Sequence, residues 1–222
     1  MSVNHHVSDE LLLDYAAGNL SEGWSLAIAT HLALSPASRR RLEAMEGAAG
    51  ALLDKITVVQ DGGDDAWQRM HAQIEAGALD APKVSMAQRH HSTEAPVFPE
   101  PLRSYLGCDL AGLKWRALGR GAYQIRIPTE DPTTQVRLLK IPAGKPVPEH
   151  THQGRELTLV LCGSFWDGED LFARGDLEEA DDDLLHTPTA TEGEDCICLA
   201  VTEAPLKFSS WIVRMIQPIL KI

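Results

Sequence analysis

The sequence predicts an α+β chain in two domains, a small four-helix bundle at the N-terminus and a jelly-roll β-barrel at the C-terminus. Three observations carry this reading. Apolar residues recur at helical spacing up to about residue 78. From about residue 112 they alternate in short runs separated by Gly, Pro and acidic turns, as strands do. Between the two, residues 79–98 mix Pro, Ser, His and charge without a period, which is the composition of a linker. The expected domains are therefore 1–78, 79–98 and 99–222.

The helices follow in order. In "VSDELLLDYAAGNL" Ser8 is an N-cap, Val7 and Leu12 are spaced for a hydrophobic staple, and Gly18 stops the helix. Leu11, Leu12, Tyr15 and Ala16 form its apolar face. "SEGWSLAIATHLAL" starts at Ser21 and gathers Trp24, Ala27, Ile28, His31 and Leu32 on one side. Ser35 then caps a third helix with Pro36 at its first position, running through "ASRRRLEAMEGAAGALLDKI". The fourth is "DDAWQRMHAQIEAG", residues 64–77, where Trp67 and Met70 share a face. Four short helices with apolar faces are expected to close a small core of their own. His90 and His91 fall in the linker and are read as solvated.

The expected strands are "GLKWRAL", "AYQIRIP", "TQVRLLKI", "ELTLVLCGSF", "DCICLAVT" and "LKFSSWIVRMI". The four cysteines are Cys108, Cys162, Cys196 and Cys198, and none forms a CxxC pair. Cys196 and Cys198 alternate with Ile197 and Leu199 and read as small core residues. "DLEEADDD", residues 176–183, reads as a solvated acidic loop.

Composition bounds the function. The net charge is −12, so a basic face for direct DNA binding is not expected, whereas a basic protein partner is compatible. No apolar run is long enough for a membrane helix. "MSVNHHVSDELLL" lacks the basic-then-apolar order of a signal peptide, which argues for a cytoplasmic protein with reduced thiols.

The most informative stretch is "GKPVPEHTHQGRELTLVLCG", of form G-x5-H-x-H-x3-E-x6-G. His150 and His152 are two apart, so on a strand both imidazoles point to one face. "QGR" turns the chain, and Glu156 places a carboxylate beside them. His186 is the remaining histidine of the second half and supplies the fourth ligand. Three imidazoles and a carboxylate suit Zn²⁺, Fe²⁺, Mn²⁺ or Ni²⁺. The expected metal ligands are therefore His150, His152, Glu156 and His186, with no catalytic residues.

This stretch resembles the first conserved motif of the cupins, and His186 resembles the histidine of the second. The Pro-x-Gly usual before that histidine is absent, and "DLEEADDD" stands there. "HHVSDELLLDYAAGNLSEGWSLAIATHLALSPASRRRLE" resembles the N-terminal domain of ChrR-type anti-sigma factors, which join a zinc-binding helical bundle to a C-terminal cupin. The resemblance runs through the whole chain in order. It implies a non-enzymatic role: the helices would bind an extracytoplasmic-function sigma factor one to one, and the cupin would govern release under singlet oxygen or related oxidants. In that family the bundle's zinc is held by an N-terminal histidine and by H-x3-C-x2-C. Here His6 and His31 match the histidines, but Ser35 and Ser38 occupy the thiolate positions. A serine hydroxyl stays protonated near neutral pH, so N-terminal zinc is expected to be weak or absent, leaving one divalent ion, most of all zinc, in the cupin. The rival reading is a cupin dioxygenase with a helical appendage, and a third is a structural or metal-storage cupin.

Overall fold

The computed structural model describes residues 3–57, 63–76, 95–119, 121–151, 154–203 and 207–208. Its first helix, α1 (Asp9–Ala16), begins where the Ser8 hydroxyl accepts the Leu11 N–H at 3.4 Å. The chain leaves it through Gly18 at a φ of 71°, a conformation that favours glycine. Then come α2 (Glu22–Leu34) and α3 (Pro36–Leu53), separated by Ser35 alone. Ser35 has extended backbone, and its hydroxyl accepts the Ser38 N–H at 3.2 Å, so it caps α3 while ending α2. α4 (Gly63–Glu75) and α5 (Glu100–Leu106) complete the helices. α5 is absent from the sequence reading; its signals are Pro101 in the first turn and Gly107 at a φ of 71° after the last.

The strands are β1 (Arg116–Gly119), β2 (Ala122–Ile127), β3 (Gln135–Ile141), β4 (His150–Thr151), β5 (Glu156–Cys162), β6 (Ser164–Asp167), β7 (Asp170–Ala173), β8 (Leu177–Ala180), β9 (Thr189–Ala190), β10 (Cys196–Thr202) and β11 (Lys207–Phe208). They form an antiparallel six-stranded sheet in the order β1-β2-β3-β10-β5-β8, a three-stranded sheet β7-β6-β9 and the pair β11-β4. This is the jelly-roll expected from the sequence. Most of "LKFSSWIVRMI" lies outside the described residues, as do His90 and His91.

Side chains alternate between the two faces of the large sheet, and both faces are covered. One face carries Val136, Leu138, Leu157, Leu159, Leu161, Leu177, Leu199 and Val201; these share one core with Val7, Leu11, Leu12, Trp24, Ala27 and Ile28 of the helices and with Phe98 and Leu102. The opposite face joins Val160, Cys196 and Cys198 to Phe165, Phe172 and Ala190 of the small sheet. Burial on both sides explains why β10 is buried along its whole length. α2 rests directly on the sheet at Gly23, where an added Cβ would lie 2.6 Å from a Val136 methyl.

Three sequence expectations change here. The apolar faces of α1 and α2 do not close a core of their own but share one with the barrel strands, which offer a broad buried sheet face. Val97 and Phe98, placed in the linker, are anchored by N–H bonds to Asp109 at 2.9 and 3.0 Å, and Phe98 is buried. The acidic loop is in part a strand, β8, with Asp176 and Glu178 buried and Asp181–183 exposed. By contact, residues 1–46 group with 96–222 as one unit and residues 47–95 form another. The second unit carries the C-terminal part of α3 and all of α4.

Candidate metal centre

The inner face of the large sheet closes on a cavity of about 70 Å³. His150, Glu156, Glu178 and His186 line it together with Thr158, Cys196 and Cys198. His150 and His186 meet through a two-way backbone bridge, each N–H donating to the other's carbonyl at 3.2 and 3.1 Å. That bridge sets the two imidazoles side by side, with their Nε2 atoms 3.2 Å apart. Glu156 opens β5, buried, and its carboxylate accepts the Thr158 hydroxyl at 2.9 Å. The structure thus brings together three of the four expected ligands around one cavity. His152 lies outside the described residues.

Two acids were missed by the sequence reading. Asp167, at the end of β6, lies 2.8 Å from His186 Nδ1, and Glu178 of β8 lies 3.9 Å from the same nitrogen. Asp167, Glu178 and His186 bring one ligand atom each within 4.8 Å of one another, a group able to hold a metal ion. Burial, then hydrogen bonding and repulsion from Asp167, push the Glu178 carboxyl up to about 9, so without a cation nearby it is protonated at neutral pH. The available signal was Leu177 and Ala180, which flank the two glutamates, but the four other acids of residues 176–183 concealed it.

The donor chemistry fits a divalent ion. The Pro148 carbonyl can only accept, so His150 donates from Nδ1, at 2.8 Å, and keeps its lone pair on Nε2. Asp167 likewise takes the Nδ1 proton of His186. Two Nε2 lone pairs then face each other beside carboxylates, and an oriented imidazole backed by a carbonyl or carboxylate is the usual form of a metal-ligating histidine.

A second polar cluster lies on the helical side. His6 Nδ1 is 3.1 Å from Ser35 Oγ and 3.2 Å from Ser38 Oγ. His31 Nε2 is 2.8 Å from Ser38 Oγ, and Ser35 donates to Ser38 at 3.0 Å. His31, Ser35 and Ser38 are fully buried. Burial lowers the His31 pKa from 6.5 to about 4. The folded value lies below the unfolded one, so stability conferred by the neutral ring is present above pH 6.5 and is lost as pH falls toward 4. A loss of about 2 kcal/mol between pH 7.5 and 5 is expected from this group at about 1.4 kcal/mol per unit. Denaturant unfolding at the two pH values measures it, and a His31→Gln chain should show a smaller difference.

Three of the four thiols are poorly placed for reactivity. Cys196 and Cys198 are buried with sulfurs 3.5 Å apart, and their contact together with burial holds the Cys198 thiol well above its ordinary pKa. Burial, with Glu194 beside it, also raises Cys162.

Comparison with known proteins places the chain in a family. Residues 104–205 match the family described as ChrR Cupin-like domain. Over its full length the chain is 42% identical to the anti-sigma-E factor ChrR of Cereibacter sphaeroides, itself covered completely. The fold is similar to a chain in the crystal structure of Rhodobacter sphaeroides SigE in complex with the anti-sigma ChrR, with a TM-score of 0.77 and 42% identity, covering 90% of this chain and 99% of that one.

Proposed function

The chain belongs to the ChrR family of anti-sigma factors, and from that premise we propose that it sequesters an extracytoplasmic-function sigma factor in the cytoplasm and releases it under singlet-oxygen-type stress. The sigma factor would be held one to one by the N-terminal helices, with residues 1–78 as the binding region, 79–98 as the connection and 99–222 as the sensing cupin. The observation that carries this reading is full-length likeness to an anti-sigma factor, together with an apolar stripe on α4 that is exposed among the described residues. Trp67, Met70 and Ile74 stand at helical spacing and are 64%, 47% and 53% exposed. An exposed stripe of this size marks a docking face rather than a core. The acidic balance of the chain suits a partner with basic surfaces, and does not suit direct DNA binding. Among the described residues no helix is long and apolar enough to cross a membrane.

The proposed metal ligands are His150, His152, Glu156 and His186, with Asp167 and Glu178 supporting or joining them. A divalent ion bound there, most of all zinc, would add its binding free energy to the stability of the barrel. Among the described residues of this set, His150 stands on β4, Glu156 on β5 and His186 before β9, so they tie separate elements together. A dioxygenase is disfavoured by the full-length likeness to an anti-sigma factor, which a cupin enzyme with a helical appendage does not explain.

Co-expression with the sigma factor tests the main reading, and the expected result is a 1:1 complex on size exclusion. Absence of any complex with a folded chain would refute it. Independently, His150→Ala/His186→Ala is expected to lower the metal content of the full chain by about one equivalent, read by elemental analysis. An unchanged content would remove the barrel ligands from consideration.

A further inference from the structure

We propose that His6, His31, Ser35 and Ser38 form a metal-independent latch, a closed chain of hydrogen bonds standing where relatives of this chain are expected to hold zinc. The donors and acceptors can all be assigned. His31 Nδ1 donates to the Gly175 carbonyl at 2.9 Å, because a carbonyl only accepts. Its Nε2 is then an acceptor and takes the Ser38 hydroxyl proton at 2.8 Å. The Ser35 hydroxyl donates to Ser38 Oγ at 3.0 Å, and His6 Nδ1 donates to the serine oxygens at 3.1 and 3.2 Å. Each hydroxyl gives one proton and still accepts. The quartet is satisfied while neutral, with no lone pair left pointing at an empty centre.

Charge argues the same way. Two thiolates would neutralise a divalent ion in this buried place, whereas two serine hydroxyls bring no charge. The barrel site differs, since Glu156, Asp167 and Glu178 all stand by its histidines. Zinc in the quartet would place two positive charges beside three fully buried groups, with no anion among the four.

The latch closes on three segments. His6 belongs to the N-terminal stretch before α1, His31 to α2, Ser35 to the junction between α2 and α3, and Ser38 to the first turn of α3. The N-terminal stretch is also pinned to the barrel: Asp176 accepts the N–H groups of Asn4 and His5 at 2.6 and 2.9 Å, and Leu177 donates to the His5 carbonyl at 3.1 Å. Hydrogen bonds therefore join α3 to the β7–β8 turn through His31 and through residues 4–6.

The test uses the full chain, dialysed against a buffer of low nanomolar free zinc, with zinc counted by mass spectrometry. His6→Ala, which alters a half-exposed residue, is expected to leave the zinc content unchanged. Ser35→Cys/Ser38→Cys is expected to gain one equivalent over the parent, because thiolates restore both charge and ligands. Ser38→Ala is expected to lower the thermal midpoint by the same few degrees with and without chelator. Loss of one equivalent in His6→Ala would overturn the proposal. So would a Ser38→Ala effect that vanishes in chelator, or a double-cysteine chain that gains no zinc. None of these readings depends on sigma binding, so they stand or fall apart from the proposed function.

Discussion

Replacing Trp67 and Ile74 together by alanine is expected to weaken binding of the sigma factor by about 100-fold. The argument begins with α4 itself. Positions 67, 70 and 74 fall on one side of a helix, and all three apolar side chains face solvent. Their helix is otherwise polar, with Asp65–Arg69 and His71–Glu75 pairs four residues apart stabilising its surface. The same unit exposes Leu52, Leu53 and Ile56 after a long stretch of α3 with no buried residue. An exposed tryptophan flanked by aliphatic residues is the composition of a binding hot spot, where truncation commonly costs more than about 1 kcal/mol per residue. Two such truncations at about 1.4 kcal/mol each multiply to the expected factor. Because neither side chain supports the core, circular dichroism and the thermal midpoint should stay unchanged. Titration calorimetry against the sigma factor reads the effect, and a change under threefold would move the contact away from α4.

Element type was legible in the sequence wherever a local rule acted alone. Ser8, Gly18 and the Ser35–Pro36 pair declare helix ends through side chains that serve their own backbone, and the structure uses each as read. His150 was legible from its motif, and the structure sets it on the cavity beside His186, whereas His152, its expected partner on the same face, lies outside the described residues. What escaped depends on distant partners. Nothing local says that Leu11, Leu12 and Ile28 pack on Leu138, Leu157 and Leu199 rather than on other helices. Glu178 looked solvated because five other acids surround it in the chain; its burial comes from pairing β8 with β5, where Thr158 stands opposite it. Phe98 was read as linker since Pro-rich neighbours hide a residue that Asp109 anchors from eleven positions away. The serine cluster was half legible: sequence shows that the thiolates are missing, but only coordinates show the hydrogen bonds that replace them.

His150→Ala or Glu156→Ala is expected to leave sigma binding within threefold of the parent yet to abolish the oxidant response. Both side chains point into the barrel, on the side of the sheet away from the helices, so their loss does not touch the helical core. Strand β8 is the element that couples the two sides. Glu178 lines the cavity of the proposed metal ligands, while its neighbours hold the N-terminal stretch: Asp176 accepts from Asn4 and His5, and Glu179 accepts the Ser8 N–H at 2.6 Å. Residues 4–8 lead directly into α1. A disturbance that displaces β8 from inside therefore withdraws hydrogen-bond partners from the start of the helical region. If these residues hold the proposed ion, an alanine in place of one would leave the barrel in one state before and after oxidation and so remove the difference that release requires. Thiols make a weaker trigger, since Cys198 is buried and held protonated and Cys162 is raised by burial and by Glu194. Expression from a sigma-dependent promoter, with and without photosensitised singlet oxygen, measures the response. The expected induction ratio is about 1 in either ligand variant and unchanged in Cys108→Ser/Cys162→Ser. Normal induction in the ligand variants, with loss in the cysteine variant, would transfer the sensing role from the metal group to the thiols.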